Sequence, residues 1–137
     1  MDLKEPIPLF KVYMSEEASN SVSDVLKSGY ITQGPEVEKF EDTLKEYFSN
    51  NNVVTTNSAT SGLHLIFHML KKFGLGQEKI KIENQEDHVL TTPLTCTATN
   101  WPILSNDIKL KWVDVDPNNC NMNLDDLERK LTKNTKA

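Results

Sequence analysis

Val53-Val54-Thr55-Thr56-Asn57-Ser58-Ala59-Thr60-Ser61-Gly62-Leu63 is the stretch whose reading decides the fold. A β-branched run, Val53 to Thr56, follows the polar residues Ser49 to Asn52 and predicts a buried strand of an α/β sheet. The small polar turn Asn57 to Gly62 comes next. Leu63, Ile66, Phe67 and Leu70 then recur at helical spacing from about Thr60 to Phe73, with Gly74 as the stop. Strand, small polar turn, helix is a geometry that holds phosphate: N–H groups at a helix start attract an anion, and small residues let it approach. The hydroxyls of Ser58, Thr60 and Ser61 add donors. An ordinary N-cap in a tight turn uses the same residues, so this stretch alone leaves both readings open. The lysine of a P-loop is missing, which disfavours nucleoside triphosphates.

Upstream, Pro6-Ile7-Pro8-Leu9-Phe10 reads as an extended arm, because two prolines disfavour helix. Ser15 is placed to cap a helix in which Ala18, Val22, Val25 and Leu26 form an apolar stripe, Glu16 and Glu17 suit the helix dipole, and Gly29 supplies the stop. A second helix starts at Gly34-Pro35 and carries Val37, Phe40, Leu44 and Tyr47 on one face. The loop between them, Gly29-Tyr30-Ile31-Thr32-Gln33-Gly34, is short, glycine-bounded and polar-aromatic, which suits a functional segment and equally a plain connector.

Downstream, residues 77–87 alternate charge with Ile80 and Ile82 and read as an exposed hairpin strand or a loop. His88 to Thr92 predicts a second core strand, closed by Pro93, and residues from about Thr97 to Leu104 a short helix. Ile108 to Val113 predicts a third strand whose alternation implies a polar face or an edge position. Asp116-Pro117-Asn118-Asn119 is turn chemistry, and Asn123 is placed to cap a last helix bearing Leu124, Leu127 and Leu131. Strands alternating with helices predict a mainly parallel α/β sheet with flanking helices. With three strands the core reads as unfinished at its carboxyl end.

The composition narrows the function classes. A net charge of −5 with dispersed Lys and Arg offers no footprint for nucleic acid. Cys96 and Cys120 match no metal-ligand spacing, and no signal peptide precedes them, so reduced thiols in a cytoplasmic protein are expected. No apolar run reaches the ~20 residues of a membrane span. His64 and His68 stand on one helix face at the spacing of a zinc protease, yet position 65 is leucine where such a protease needs glutamate, so no metal site is expected. Asp114 and Asp116 are explained by turn formation before Pro117. Cys96 sits just past a strand end, where ligands of open α/β sheets gather, and with no specific base for a nucleophile it reads as a small pocket or core residue.

The ordered set of motifs is more specific than any one of them. Gly29 to Pro35 with Val37, Phe40 and Glu41, then Asn57 to Leu65, Thr92-Pro93 with Ala98-Thr99-Asn100, Val113 to Pro117, and Thr135-Lys136-Ala137 together resemble the DegT/StrS-type sugar aminotransferases over nearly the whole chain. That resemblance implies the start of the large domain of a fold-type I pyridoxal-phosphate (PLP) dependent transferase. It divides the chain into residues 1–34, carrying the arm, first helix and substrate-side loop, and residues 35–137, the amino-terminal part of the PLP-binding domain, truncated. The implied reaction moves an amino group from glutamate to a nucleotide-linked keto sugar, in a homodimeric enzyme.

By position, the resemblance places Ser58, Ala59, Thr60, Ser61 and Cys96 on the cofactor, with Thr60 and Ser61 on its phosphate, and Tyr30, Thr32 and Gln33 on the substrate side. The chain departs from the family pattern at Ala59, where a glycine is common, and at Thr95-Cys96-Thr97, where many relatives carry an aromatic that stacks on the cofactor ring. The charged segment before His88 is also longer than the usual link. The lysine and the acidic partner that PLP chemistry needs lie, in the family, beyond the segment matching Thr135-Lys136-Ala137. The chain by itself is therefore expected to lack transaminase activity. The alternatives are a non-catalytic α/β module that holds a phosphorylated ligand, and a structural partner that completes its sheet with another chain.

Overall fold

The computed structural model describes residue 8 and residues 10–137. The arm expected at Pro6 to Phe10 falls mostly outside them. The chain forms two compact units, residues 1–54 and 55–137.

In the first unit, α1 spans Ala18–Ser28 and stops at Gly29, whose φ of 78° is the left-handed conformation that glycine adopts without a Cβ clash. The expected Ser15 cap does not form. Glu17 takes the N-cap position without a side-chain bond, and Ser15 gives only its carbonyl, to the Ala18 N–H at 3.2 Å. Helix α2, Pro35–Phe48, begins on its proline as expected. Neither helix fully buries a residue: of the stripes read from the sequence, Val22, Leu26, Phe40 and Tyr47 are exposed and Ala18, Val25, Val37 and Leu44 half-buried.

The second unit contains α3 (Ala59–Lys72), β1 (His88–Thr91), α4 (Thr97–Ser105), β2 (Lys109–Trp112) and α5 (Leu124–Lys130). β1 and β2 pair in parallel, His88 opposite Lys109 through Thr91 opposite Trp112, with α4 as the crossover. The other edge of β1 is taken by the end of the chain. His88 N–H donates to the Asn134 carbonyl at 2.9 Å, Lys136 N–H to His88 at 3.0 Å, and Leu90 N–H to Ala137 at 2.9 Å. The sheet's third member is therefore residues 134–137, and the strand expected at Val53 to Thr56 is not formed. A β-branched run becomes a strand only in a ladder with a neighbouring strand, and among the described residues the ladder is β1 with β2.

Leu70 of α3, Val89 of β1, Ile103 of α4 and Ile108 make the buried core, with Phe67, Leu75, Ile82 and Leu110 packed against it. All of β1 is buried, whereas β2 is mostly exposed, as its alternation predicts. The charged segment is neither an exposed strand nor a free loop. A Leu75–Ile80 antiparallel bridge closes a tight turn, and Ile82 returns to the core. Gly74 is required there, because its φ is 83° and a Cβ would stand 2.7 Å from the Lys79 carbonyl oxygen.

Buried carboxylates tie the outer segments to the sheet. The Asp87 Oδ2 accepts the N–H groups of Glu83 at 2.8 Å and Asn84 at 3.2 Å, while Lys136 Nζ lies 3.6 Å from its Oδ1. The backbone N–H of Glu83 leads the interactions that hold this carboxyl below its ordinary pKa. Asn123 caps α5 as expected, its Oδ1 accepting the Asp126 N–H at 3.0 Å. Asp126 in turn accepts the Asp114 N–H at 2.8 Å, Lys130 Nζ at 2.7 Å and Arg129 Nη2 at 3.1 Å, locking the helix to the chain that leaves β2. The Asp114 N–H is the leading cause that lowers its pKa from 3.8 to about 2, followed by the bond from Lys130.

Two outcomes follow from this packing. Ile103→Ala empties a site that is 2% exposed and is expected to cost about 3 kcal/mol in urea unfolding. Because the folded pKa of Asp126 lies below its unfolded value, its stabilisation is present above pH 3.8 and is lost as pH falls toward about 2. Asp126→Asn should flatten that part of the stability profile, measured by denaturant unfolding at stepped pH.

Candidate functional site

The turn at the start of α3 is built from side chains that converge on one another. Ser58 is extended and caps the helix, its Oγ accepting the Ser61 N–H at 3.1 Å. Ser61 Oγ donates to Asn57 Oδ1 at 2.8 Å and lies 3.0 Å from Ser58 Oγ. Thr56 Oγ1 donates to the Ser58 carbonyl at 2.9 Å, so the chain entering the turn is held by a hydroxyl of its own. The N–H groups of Ala59 and Thr60 occupy first-turn positions, which have no intrahelical acceptor, and they stand at the positive end of a helix of 14 residues. Hydroxyls, free N–H groups and dipole together make a cradle for an anion with several oxygen acceptors. Ser58 and Ala59 are exposed and Thr60 and Ser61 half-buried, so an anion reaches them from solvent.

Ser58, Ala59, Thr60 and Ser61 are thus brought together, as the sequence predicts for a cap or a cup. Cys96 comes from a different turn. It is exposed rather than in the core, takes the N-cap position of α4, and carries no side-chain capping bond. Its turn hangs from the carboxyl end of β1 by an amide that sequence reasoning missed. Thr91 Oγ1 donates to Asn100 Oδ1 at 2.7 Å, and Asn100 Nδ2 donates to the Thr92 carbonyl at 3.2 Å. The available signal was a lone amide just before the apolar Trp101-Pro102-Ile103.

The loop Gly29 to Gly34 lies in the first unit. Tyr30 and Thr32 line a groove of about 510 Å³ together with Ser21, Asp24 and Lys39 of the flanking helices, whereas Gln33 is not on its wall. Tyr30 is exposed and its N–H donates to Ser28 Oγ at 3.2 Å. The groove carries both charge signs and an aromatic ring, a surface suited to a polar ligand.

Other candidates resolve as structure. His64 Nδ1 lies 3.0 Å from Ser105 Oγ and ties α3 to α4, and among the described residues no three metal-ligating side chains gather. Asp116 Oδ1 accepts the Asn118 N–H at 2.8 Å, which is the turn expected before the last helix. Among the described residues no helix is long and apolar enough to cross a membrane.

Comparison with known proteins gives this geometry a context. Sugar aminotransferase CalS13 from Micromonospora echinospora is 42% identical in sequence, with a TM-score of 0.75 over 96% of this chain and 33% of that one. Spr1654 from Streptococcus pneumoniae, solved in a PLP form, is 31% identical, with a TM-score of 0.72 over 94% of this chain and 30% of that one. The UDP-4-amino-4-deoxy-L-arabinose–oxoglutarate aminotransferase of Shewanella sediminis is 31% identical over 96% of this chain. This chain spans 31% of the length of that relative. Residues 12–137 match the profile of the DegT/DnrJ/EryC1/StrS aminotransferase family, and with the α/β fold and the ordered motifs in place the chain belongs to that family.

Proposed function

We propose that this chain forms the phosphate-cradling part of a PLP-dependent aminotransferase that acts on nucleotide-linked keto sugars, with glutamate as amino donor. The observation that carries the reading is the cluster of Ser58 and Ser61 hydroxyls, bonded to each other at the start of α3 beside the first-turn N–H groups that have no intrahelical acceptor. Family membership supports it, and the oxoglutarate named for the Shewanella relative supports a glutamate donor. In this reading Thr60, Ser61 and the Ala59 N–H hold the cofactor phosphate, and Cys96 lies beside the ring where many relatives have an aromatic. Tyr30 and Thr32 face the sugar nucleotide from their groove, with Gln33 on the same loop.

Bound PLP supplies an electron sink for moving an amino group. What the chain itself supplies is binding and orientation. None of its lysines follows a small hydroxylated loop in the way the covalent lysine of this family does, so that lysine and the acidic partner of the ring are assigned to the length of the relatives that this chain does not match. The division into a substrate-side segment, residues 1–34, and a cofactor segment, residues 35–137, belongs to the same reading. So do a cytoplasmic setting and a homodimer. The exposed Leu65, Ile66 and Met69 of α3, Phe73 just after it, and Trp101 and Leu104 of α4 support a fold covered by further protein.

Titration of PLP into the chain, followed by absorbance, is expected to show saturable binding that inorganic phosphate competes away. Borohydride should trap only the scattered, non-saturating adducts that an aldehyde forms with exposed lysines, and no stoichiometric adduct at one lysine. Ser61→Ala, which removes a hydrogen bond to a charged group, should weaken binding by about tenfold. Absence of saturable binding would sink the reading, and stoichiometric, saturable trapping at a single lysine would overturn the assignment of chemistry to residues outside this chain.

A further inference from the structure

Asn100 is 9% exposed, yet every hydrogen-bonding role of its amide that the sheet can use is filled. Its Oδ1 takes the Thr91 hydroxyl and its Nδ2 gives to the Thr92 carbonyl, so one side chain on α4 grips the last residue of β1 and the next residue beyond it. Between these two points runs the turn Pro93 to Cys96. The other bonds at that turn lie at the surface: Leu94 N–H to Thr92 Oγ1 at 3.3 Å, Thr95 N–H to Pro93 at 3.1 Å, Thr95 Oγ1 to Thr99 Oγ1 at 3.2 Å and Thr99 N–H to the Cys96 carbonyl at 2.9 Å, and Leu94, Thr95, Cys96 and Thr99 are all exposed. Water competes with each of those. It does not compete with the buried Thr91–Asn100 bond, which holds the turn in a low-dielectric surrounding.

Pro102 sharpens the dependence. It lies inside α4 and has no N–H to return to the carbonyl four residues back, so the amino-terminal half of this nine-residue helix has weaker backbone support than its length implies. The side chain at position 100 ties that half of the helix to the carboxyl end of β1. An amide suits the position, since it offers an acceptor for Thr91 and a donor for Thr92 from two separate atoms. A carboxylate lacks the donor and buries a charge, and an alanine leaves the Thr92 carbonyl without its partner.

We propose that Asn100 is a positioning residue: by clamping Thr91 and Thr92 it holds the Pro93–Cys96 turn, and with it the Cys96 thiol, at the carboxyl end of β1, where the ring of bound PLP meets it. The carboxyl ends of parallel strands are where open α/β sheets take their ligands, and displacement of a contact by about 1 Å there is felt strongly. The proposal rests on the reading of Ser58 to Ser61 as a cofactor-phosphate cup. It adds that the ring side of the ligand is placed by a separate device, independent of the cup's own hydrogen bonds.

The test uses the full chain carrying Cys120→Ser, which leaves Cys96 as its one thiol. Alkylation of Cys96 by iodoacetamide is timed with and without PLP, and with inorganic phosphate as a probe that fills the cup without a ring. PLP should slow alkylation by about tenfold and inorganic phosphate should not. Asn100→Ala and, independently, Thr91→Val should abolish that protection while phosphate still competes with PLP for binding. Thr91→Ser, which keeps the hydroxyl, should restore it. Circular dichroism checks that each variant is folded, and Thr91→Val against Thr91→Ser decides the matter if Asn100→Ala does not fold. Saturable PLP binding without protection of Cys96, or protection that survives both Asn100→Ala and Thr91→Val, overturns the clamp and leaves the cup standing. Failure of PLP to bind at all overturns the cup, and the clamp's role with it.

Discussion

The second unit depends on β1 having a hydrogen-bonding partner on each edge. Its residues are all buried, so every N–H and C=O must find a partner within the protein or leave an unpaired polar group out of water. β2 meets one side and residues 134–137 the other. From that constraint the remainder follows. Right-handed closure of a parallel pair needs a crossover, which α4 provides. The crossover brings Ile103 onto Val89 and Leu70, and the core closes there.

Polar groups, not additional apolar ones, fasten the outlying pieces to this small core. Asp87 holds the loop at Glu83 and Asn84 and faces Lys136 across the sheet edge. Asp126 joins the chain leaving β2 to α5 through the Asp114 N–H. Asn100 secures the turn that ends at Cys96. Each is buried where a charged or amide group is costly without partners, and each therefore enforces one arrangement of the segments it touches. The candidate cup is held by its own local bonds at the amino end of α3, and the Cys96 turn by Asn100 at the carboxyl end of β1.

The helices and caps were legible because they depend on neighbours in sequence. Proline at the start of α2, glycine after α1, Ser58 before α3 and Asn123 before α5 act within a few residues, and their chemistry shows in the letters. The Ser15 cap did not form, because a nearby hydroxyl is only one of several ways to start a helix and α1 opens later, at Ala18. The exposed residues in the stripes of α1 and α2 make the same point from the other direction: periodicity marks a face fit for burial and says nothing of what covers it.

What the sequence by itself determined was the order of the helices, the α/β class, the small polar turn at Asn57 to Gly62 and the family likeness of the ordered motifs. These rest on local propensity, capping and spacing, which need no knowledge of distant residues. Only the tertiary structure decided which extended runs become strands. Val53 to Thr56 has strand composition and forms no ladder, while the unremarkable Asn134 to Ala137 pairs with β1, because a strand is defined by the partner that takes its hydrogen bonds. The same holds for the Thr91–Asn100 clamp and for the hub at Asp126, whose partners lie 9 and 12 residues away and meet only once the chain has folded back on itself.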